Sequence, residues 1–225
     1  DALRALQEER ATECPLNGLV LKEGLAWRQA EVLRAYRNYL LQVRPSYNAD
    51  TINGVLLRNS VVARALFDYF AVRFDPVLTG SRADAIAKAQ ADVKAALRKV
   101  ASIVDDEMLR ALFNAITATV RTNFYQHPER PVISFKVESA KVDGMVAPRP
   151  LFEIFVHSRN LQGIHLRFGK VARGGIRWSD RHDDFRTEIL GLVKAQMVKN
   201  AVIVPVGSTG GLVLKGNVPP RPAPA

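Results

Sequence analysis

The sequence predicts an α+β or α/β chain in which an all-helical region precedes the start of an α/β region. Three observations carry this. Up to about residue 125, apolar residues recur at helical spacing. From Pro131 they alternate in short runs, as strands do. Near the C-terminal end, two glycine-rich turns flank one more helix-period run.

The helical half reads in order. The segment from Glu23 to about Leu41 sets Leu25, Val32, Tyr36, Tyr39 and Leu40 on one face, and Pro45 ends it. Asn48 or Asp50 can cap a short helix carrying Ile52, Val55 and Leu56. Ser60 can cap the next, whose stripe is Leu66, Tyr69, Phe70 and Phe74, closed by Asp75-Pro76. Ser81 opens an alanine-rich helix over 82–102. Asp105 or Asp106 opens another through Leu109, Leu112, Phe113, Ile116 and Val120. This half contains no cluster of chemically active residues and reads as a scaffold or docking module.

The pattern changes near 127–131. "PVISFKVE", "LFEIFVHS", "QGIHLRFG" and "IRWS" read as strands. Asp180, or Asp183-Asp184, starts a helix to about Asn200, followed by "AVIVPV" as a buried strand and "GLVLK" as one more. The division is therefore 1–125 helical, 126–216 α/β, and 217–225 a proline-rich tail with no packing pattern.

Composition narrows the function. The chain has 225 residues, 48% hydrophobic and 24% charged, ordinary for a globular protein. Cys14 is the single cysteine, so no internal disulfide can form, and a reducing cytoplasm is the expected home. No run of about 18 apolar residues predicts a membrane span, and no leader pattern precedes the first helix. The chain opens on mid-helix sequence at Asp1 and stops soon after a glycine-rich stretch, which reads as a piece of a longer polypeptide. The net charge of +10 could serve an anionic partner. Its charges are scattered, without interleaved aromatics, so nucleic acid is not the expected partner.

The residues with chemical potential fall between Lys170 and Lys215. In the helix from Asp183, the spacing of Phe185, Ile189 and Leu192 extends to Gln196 and Lys199. Polar groups on a buried stripe need partners, so these two face a polar cavity or ligand, or Lys199 complements the helix C-terminus and reaches solvent. Arg173 precedes Gly174-Gly175, where glycines permit positive φ and close approach to a ligand. Arginine can bind a carboxylate through two parallel hydrogen bonds; a solvent-exposed turn residue is the other reading. Arg177 and Arg181 read as structural or surface ion pairs. "VGSTGG" follows a predicted strand but matches neither Gly-x-x-x-x-Gly-Lys-Ser/Thr nor Gly-x-Gly-x-x-Gly. Gly207, Gly210 and Gly211 are instead expected to bring loop backbone close to a small ligand. His157 and His182 lack metal-ligand spacing, so no metal is expected.

"KVARGGIRWSDRHDDFRTEILGLVKAQMVKNAVIVPVG" resembles the catalytic segment of the large bacterial NAD-dependent glutamate dehydrogenases. "GLVLKEGLAWRQAEVLRAY" and "LFEIFVHSRNLQGIHLRFG" extend the resemblance over nearly the whole chain. It implies a substrate-binding domain of the amino-acid dehydrogenase type and NAD as cofactor. The reaction implied converts L-glutamate, NAD+ and water to 2-oxoglutarate, ammonium and NADH, in an oligomeric parent. By that resemblance Arg173 stands near a substrate carboxylate, and Gln196 and Lys199 match the substrate-contacting glutamine and lysine. The family's catalytic lysine position holds Thr209, and its usual phenylalanine position holds Leu212. A threonine hydroxyl has no accessible cationic form, so no catalytic residue is intact and the isolated chain is expected to be inactive. The expected dinucleotide-binding unit and downstream aspartate fall beyond the chain. A non-catalytic glutamate- or 2-oxoglutarate-binding module, or a helical interaction module, are the alternatives.

Overall fold

The computed structural model describes residues 2–199 and 206–216, with 196–199 given by backbone alone. The helical half begins with α1 (Ala2–Gln7), α2 (Gly18–Glu23) and α3 (Trp27–Val43). Next come α4 (Ala49–Arg58), α5 (Ser60–Phe74), α6 (Arg82–Leu97) and α7 (Ile103–Ala118). Then follow β1 (Thr119–Thr122), β2 (Ile133–Glu138), β3 (Phe152–His157), β4 (Leu161–Arg167) and β5 (Ile176–Trp178). The order closes with α8 (Phe185–Lys199) and β6 (Ser208–Leu214).

Local chemistry sets several boundaries. The helix expected from Glu23 starts only at Trp27, because Gly24 adopts φ +63° and ends a preceding helix, α2. That left-handed conformation costs glycine nothing sterically and ends the helix. Gln29 then caps the Ala26 amide at 2.9 Å as α3 starts. Asn48 caps α4, accepting from the Thr51 amide at 2.8 Å, and Ser81 caps α6 as expected. Asn59 rather than Ser60 precedes α5, and Ser102 rather than an aspartate caps α7. Val120, expected on the last helix, lies instead in β1. The helix stops at Thr119, whose hydroxyl bonds the Ala115 carbonyl at 2.9 Å and the Tyr36 hydroxyl at 2.8 Å.

Among the described residues the sheet has six strands in the order β1-β2-β3-β4-β6-β5. Its neighbours are antiparallel except β5 and β6, which run parallel. The pairings Phe135 with Phe155, Phe155 with Ile164, and Ile164 with Gly211 align one inner face. Helices α3 and α8 cover that face. Tyr36 stacks on Phe135 at 4.3 Å, and Tyr39 meets Phe135 and Phe155 edge-on at 5.7 and 5.6 Å. Among the described residues one apolar core runs from Leu16 to Val213, so the helices before the sheet supply its packing layer. Among the described residues, no helix is long and apolar enough to cross a membrane. The expected strand over 201–206 and the tail over 217–225 lie outside the described residues, apart from Val206.

Candidate functional site

The two glycine-rich stretches meet as neighbours on one sheet edge. The Arg173 carbonyl accepts from the Ser208 amide at 3.1 Å, and the Gly175 carbonyl accepts from the Gly210 amide at 2.8 Å. Arg173 pairs with Gly207 in a parallel bridge, just before β5. The Arg173 side chain is exposed. Thr209 is 1% exposed and pairs with Leu166 on the inner face. Its hydroxyl donates to the Ser208 carbonyl at 2.8 Å.

The glycines correct the loop expectation. Gly210 and Gly211 lie within β6, and Gly207 in the bridge before it. Neither Gly174 nor Gly175 has positive φ. What requires glycine is close packing inside the protein. A Cβ at Gly211 would lie 2.3 Å from Ile189 Cδ1 on α8, and one at Gly174 would lie 1.3 Å from the Ser208 carbonyl oxygen. Gly210 faces His165 and Ile176 at 3.3 Å, while Gly175 faces open space. Glycine at 211 thus lets α8 lie close on β6.

Helix α8 is fixed at its first turn. Phe185, Ile189 and Val193 are fully buried, so the stripe steps through Val193, with Leu192 half-buried beside it. The Gln196 and Lys199 side chains lie outside the described residues. Arg186 forms a buried ion pair with Glu153 of β3, its Nε 3.2 Å from Oε2. Tyr39 of α3 donates to the same carboxylate at 3.1 Å. Gln42 of α3 accepts from the Arg186 amide at 3.1 Å and donates to the Asp183 carbonyl at 2.9 Å. Burial works against the Arg186 charge, but the bonds and charge of Glu153 outweigh it and raise its pKa. Burial, then the Glu153 charge, lifts the Tyr39 phenol well above its usual range. Arg181 pairs with Asp184, its Nε 2.8 Å from Oδ1, as expected of a surface ion pair.

A second buried polar cluster joins α3 to the far end of β6. His157 Nε2 lies 2.9 Å from Glu31 Oε2, and Arg34 pairs with Glu31. Asn38 Nδ2 stands 3.2 Å from His157 Nδ1. Lys215 Nζ donates to the Ser158 carbonyl at 2.8 Å and lies 3.5 Å from His157 Nδ1. Burial takes His157 down to about 4, against the opposing pull of Glu31. Burial opposes the Glu31 charge, yet His157 and Arg34 outweigh it and bring the carboxyl to about 2. The Cys14 thiol is half-buried, with Arg34 Nε at 3.3 Å and Arg37 Nη1 at 3.5 Å. Burial would raise its pKa, but the Arg34 charge and hydrogen bond lead the effects that lower it. Sequence spacing missed both clusters. Their available signal was the polar Glu153 and His157 alternating with Phe155 on the buried face of β3.

Residues 92–223 match the family described as bacterial NAD-glutamate dehydrogenase, catalytic domain. Residues 13–76 match glutamate dehydrogenase, helical motif 3. The NAD-specific glutamate dehydrogenase of Mycobacterium tuberculosis is 46% identical over 228 residues, covering 99% of this chain and 14% of that protein. That of Halomonas elongata is 44% identical over 219 residues, covering 96% and 14%. That of Pseudomonas aeruginosa is 45% identical over 204 residues, covering 88% and 13%. The chain therefore spans about 14% of the length of the first two relatives. With the catalytic-domain family matched over more than half its residues, the chain belongs to the bacterial NAD-glutamate dehydrogenase family.

Proposed function

We propose that this chain is the substrate-holding part of an NAD-dependent glutamate dehydrogenase. Its parent would convert L-glutamate, NAD+ and water to 2-oxoglutarate, ammonium and NADH. The observation that carries this reading is the pairing of Arg173–Gly175 with Gly207–Gly210, within the segment matched to the family's catalytic domain. It brings an exposed guanidinium alongside the strand holding Thr209. Arg173 then binds one carboxylate of the dicarboxylate through two parallel hydrogen bonds, and Lys199 with Gln196 contacts the rest. Residues 1–125, helical up to Ala118, act as scaffold, 126–216 as the first part of the substrate-binding domain, and 217–225 as a proline-rich tail.

The chemistry requires a proton-transfer group at the substrate carbon. Thr209 cannot supply a cation there, and losing a general acid–base group removes about 10²–10⁴ in rate. NAD supplies the hydride acceptor when bound. Among the described residues the parallel unit is β5–α8–β6, and the turn into α8 reads Asp180-Arg181-His182-Asp183-Asp184. A dinucleotide's phosphates sit at such a helix start on glycine-rich backbone. That turn has no glycine and carries three aspartates against one arginine, which pairs with Asp184, so this unit does not fit the cofactor. We place the parent in the cytoplasm as a homo-oligomer. A second reading is favoured by Thr209 itself: binding of glutamate or 2-oxoglutarate without turnover.

Two measurements test this. Calorimetric titration of the chain with 2-oxoglutarate should give saturable heat that Arg173→Ala abolishes. An NADH absorbance assay with glutamate and NAD+ should give no turnover. Clear NADH formation overturns the inactive reading, and absence of heat with either dicarboxylate removes the substrate-holding one.

A further inference from the structure

A cleft of about 540 Å³ opens between α3, the turn after it, the start of α8 and the end of β6. Its size suits a small organic ligand. Leu41, Pro45 and Val213 give it an apolar wall, and Asn38, Gln42 and Gln162 add amides. Lys215 and Asp183 both line it.

Lys215 is the unusual member. It is half-buried, yet among the described residues no carboxylate lies within ion-pair distance of its ammonium. Its bonds are one to the Ser158 carbonyl and a long one toward His157 Nδ1. A lysine carries three donors, so donor capacity remains at the cleft wall. Burial, with Arg37 and Arg34 nearby and Glu31 opposing them, lowers its pKa to about 8.

Asp183 is its counterpart. It is exposed, and its carboxylate makes no hydrogen bond or ion pair among the described residues, whereas the neighbouring Asp184 is taken by Arg181. The cleft therefore carries a cation with a spare donor and an anion that is unpaired among the described residues.

We propose that this cleft is a second binding site, for a free amino acid with a short apolar or amide side chain. Its carboxylate meets Lys215, its ammonium meets Asp183, and its side chain lies on Leu41 and Val213. The site stands apart from the Arg173–Thr209 edge. Lys215 lies six positions after Thr209, just past the end of β6, roughly 20 Å at the rise of an extended strand. It uses none of the residues assigned to the dicarboxylate.

The test is calorimetric titration of the chain with L-alanine, L-leucine and L-glutamine, with acetate and propylamine as single-charge controls. At least one amino acid should bind, and each control should bind at least about tenfold more weakly. Asp183→Asn and Lys215→Met should each weaken the amino acid by about tenfold or more, while Arg173→Ala leaves it unchanged. If Lys215→Met fails to fold, the exposed Asp183→Asn decides alone. No heat from any of the three at about 10 mM overturns the proposal. Binding that survives Asp183→Asn, or that Arg173→Ala removes, does so too. The Arg173→Ala arm also separates this site from the proposed substrate site.

Discussion

Glu31 and His157 meet across the junction of helix α3 and strand β3, with His157 Nε2 2.9 Å from Glu31 Oε2 and both groups buried. Asn38 and Lys215 present donors to Nδ1, so that nitrogen accepts and the proton sits on Nε2, directed at Glu31. The pair ties the segment matched to the helical motif to the segment matched to the catalytic domain.

This geometry sets an acid dependence. The folded-state pKa of His157 is about 4 against a model-compound 6.5. Between those values the unfolded chain holds the proton and the folded chain does not, so stability falls as pH drops through that window. The loss approaches about 3 kcal/mol. Glu31, lowered from 4.5 to about 2, continues the decline through that lower range. His165 is also lowered by burial and contributes with the same sign. Urea unfolding at pH 7, 5.5 and 4 should show a shallower slope for His157→Gln than for the parent chain; equal slopes would count against this account.

The Glu153–Arg186 pair fixes the first turn of α8 against β3 and α3. Removing one partner leaves a buried charge uncompensated, at about 3–5 kcal/mol. Arg186→Met and Glu153→Gln should each lower the urea midpoint strongly. Their combination should cost less than the sum, because the second change removes the orphaned charge.

The glycines should separate by what they pack against. Gly211→Ala drives a methyl into Ile189 and should cost about 1–3 kcal/mol. Gly174→Ala meets the Ser208 carbonyl itself, so the bridge at Arg173 must open and the loss should be larger. Gly175→Ala points into open space and should stay within about 0.5 kcal/mol. Thermal unfolding of the three variants checks the ranking.

Thr209→Lys places an ammonium at a position 1% exposed. Burying that charge should lower the melting temperature by several degrees, at a few kcal/mol. If the proposed substrate site is correct, 2-oxoglutarate should restore part of the loss in the variant, because its carboxylate offsets the new charge. No NADH should form from glutamate in either protein. A melting temperature indifferent to the dicarboxylate would argue that position 209 does not face it.

Much of the fold was legible because periodicity is local. The stripes of α4 to α7 and the alternation of β2 to β4 appear in the sequence with most boundaries within a few residues. The errors share a cause. "VGSTGG" has the composition of a turn, yet β6 begins at Ser208, because its glycines accommodate Ile189 of α8 and the neighbouring backbone. Val120 continues a helical stripe on paper, but Thr119 turns the chain into β1. For the candidate site, Arg173 and Thr209 were visible as residue types in glycine-rich surroundings. Their placement as neighbours on one sheet edge was not, since β5 and α8 fold between them in the chain to create it.

The sequence by itself determined most element types and the succession of helices then strands. Side-chain spacing and residue chemistry act over a few residues, so they can be read directly. The tertiary structure alone decided that α3 covers the sheet, that Glu153 holds Arg186 while Glu31 holds His157, and that Lys215 and Asp183 line one cleft. Each of these depends on contacts between residues far apart in the chain, whose free energy is gained only once the sheet and helices have packed.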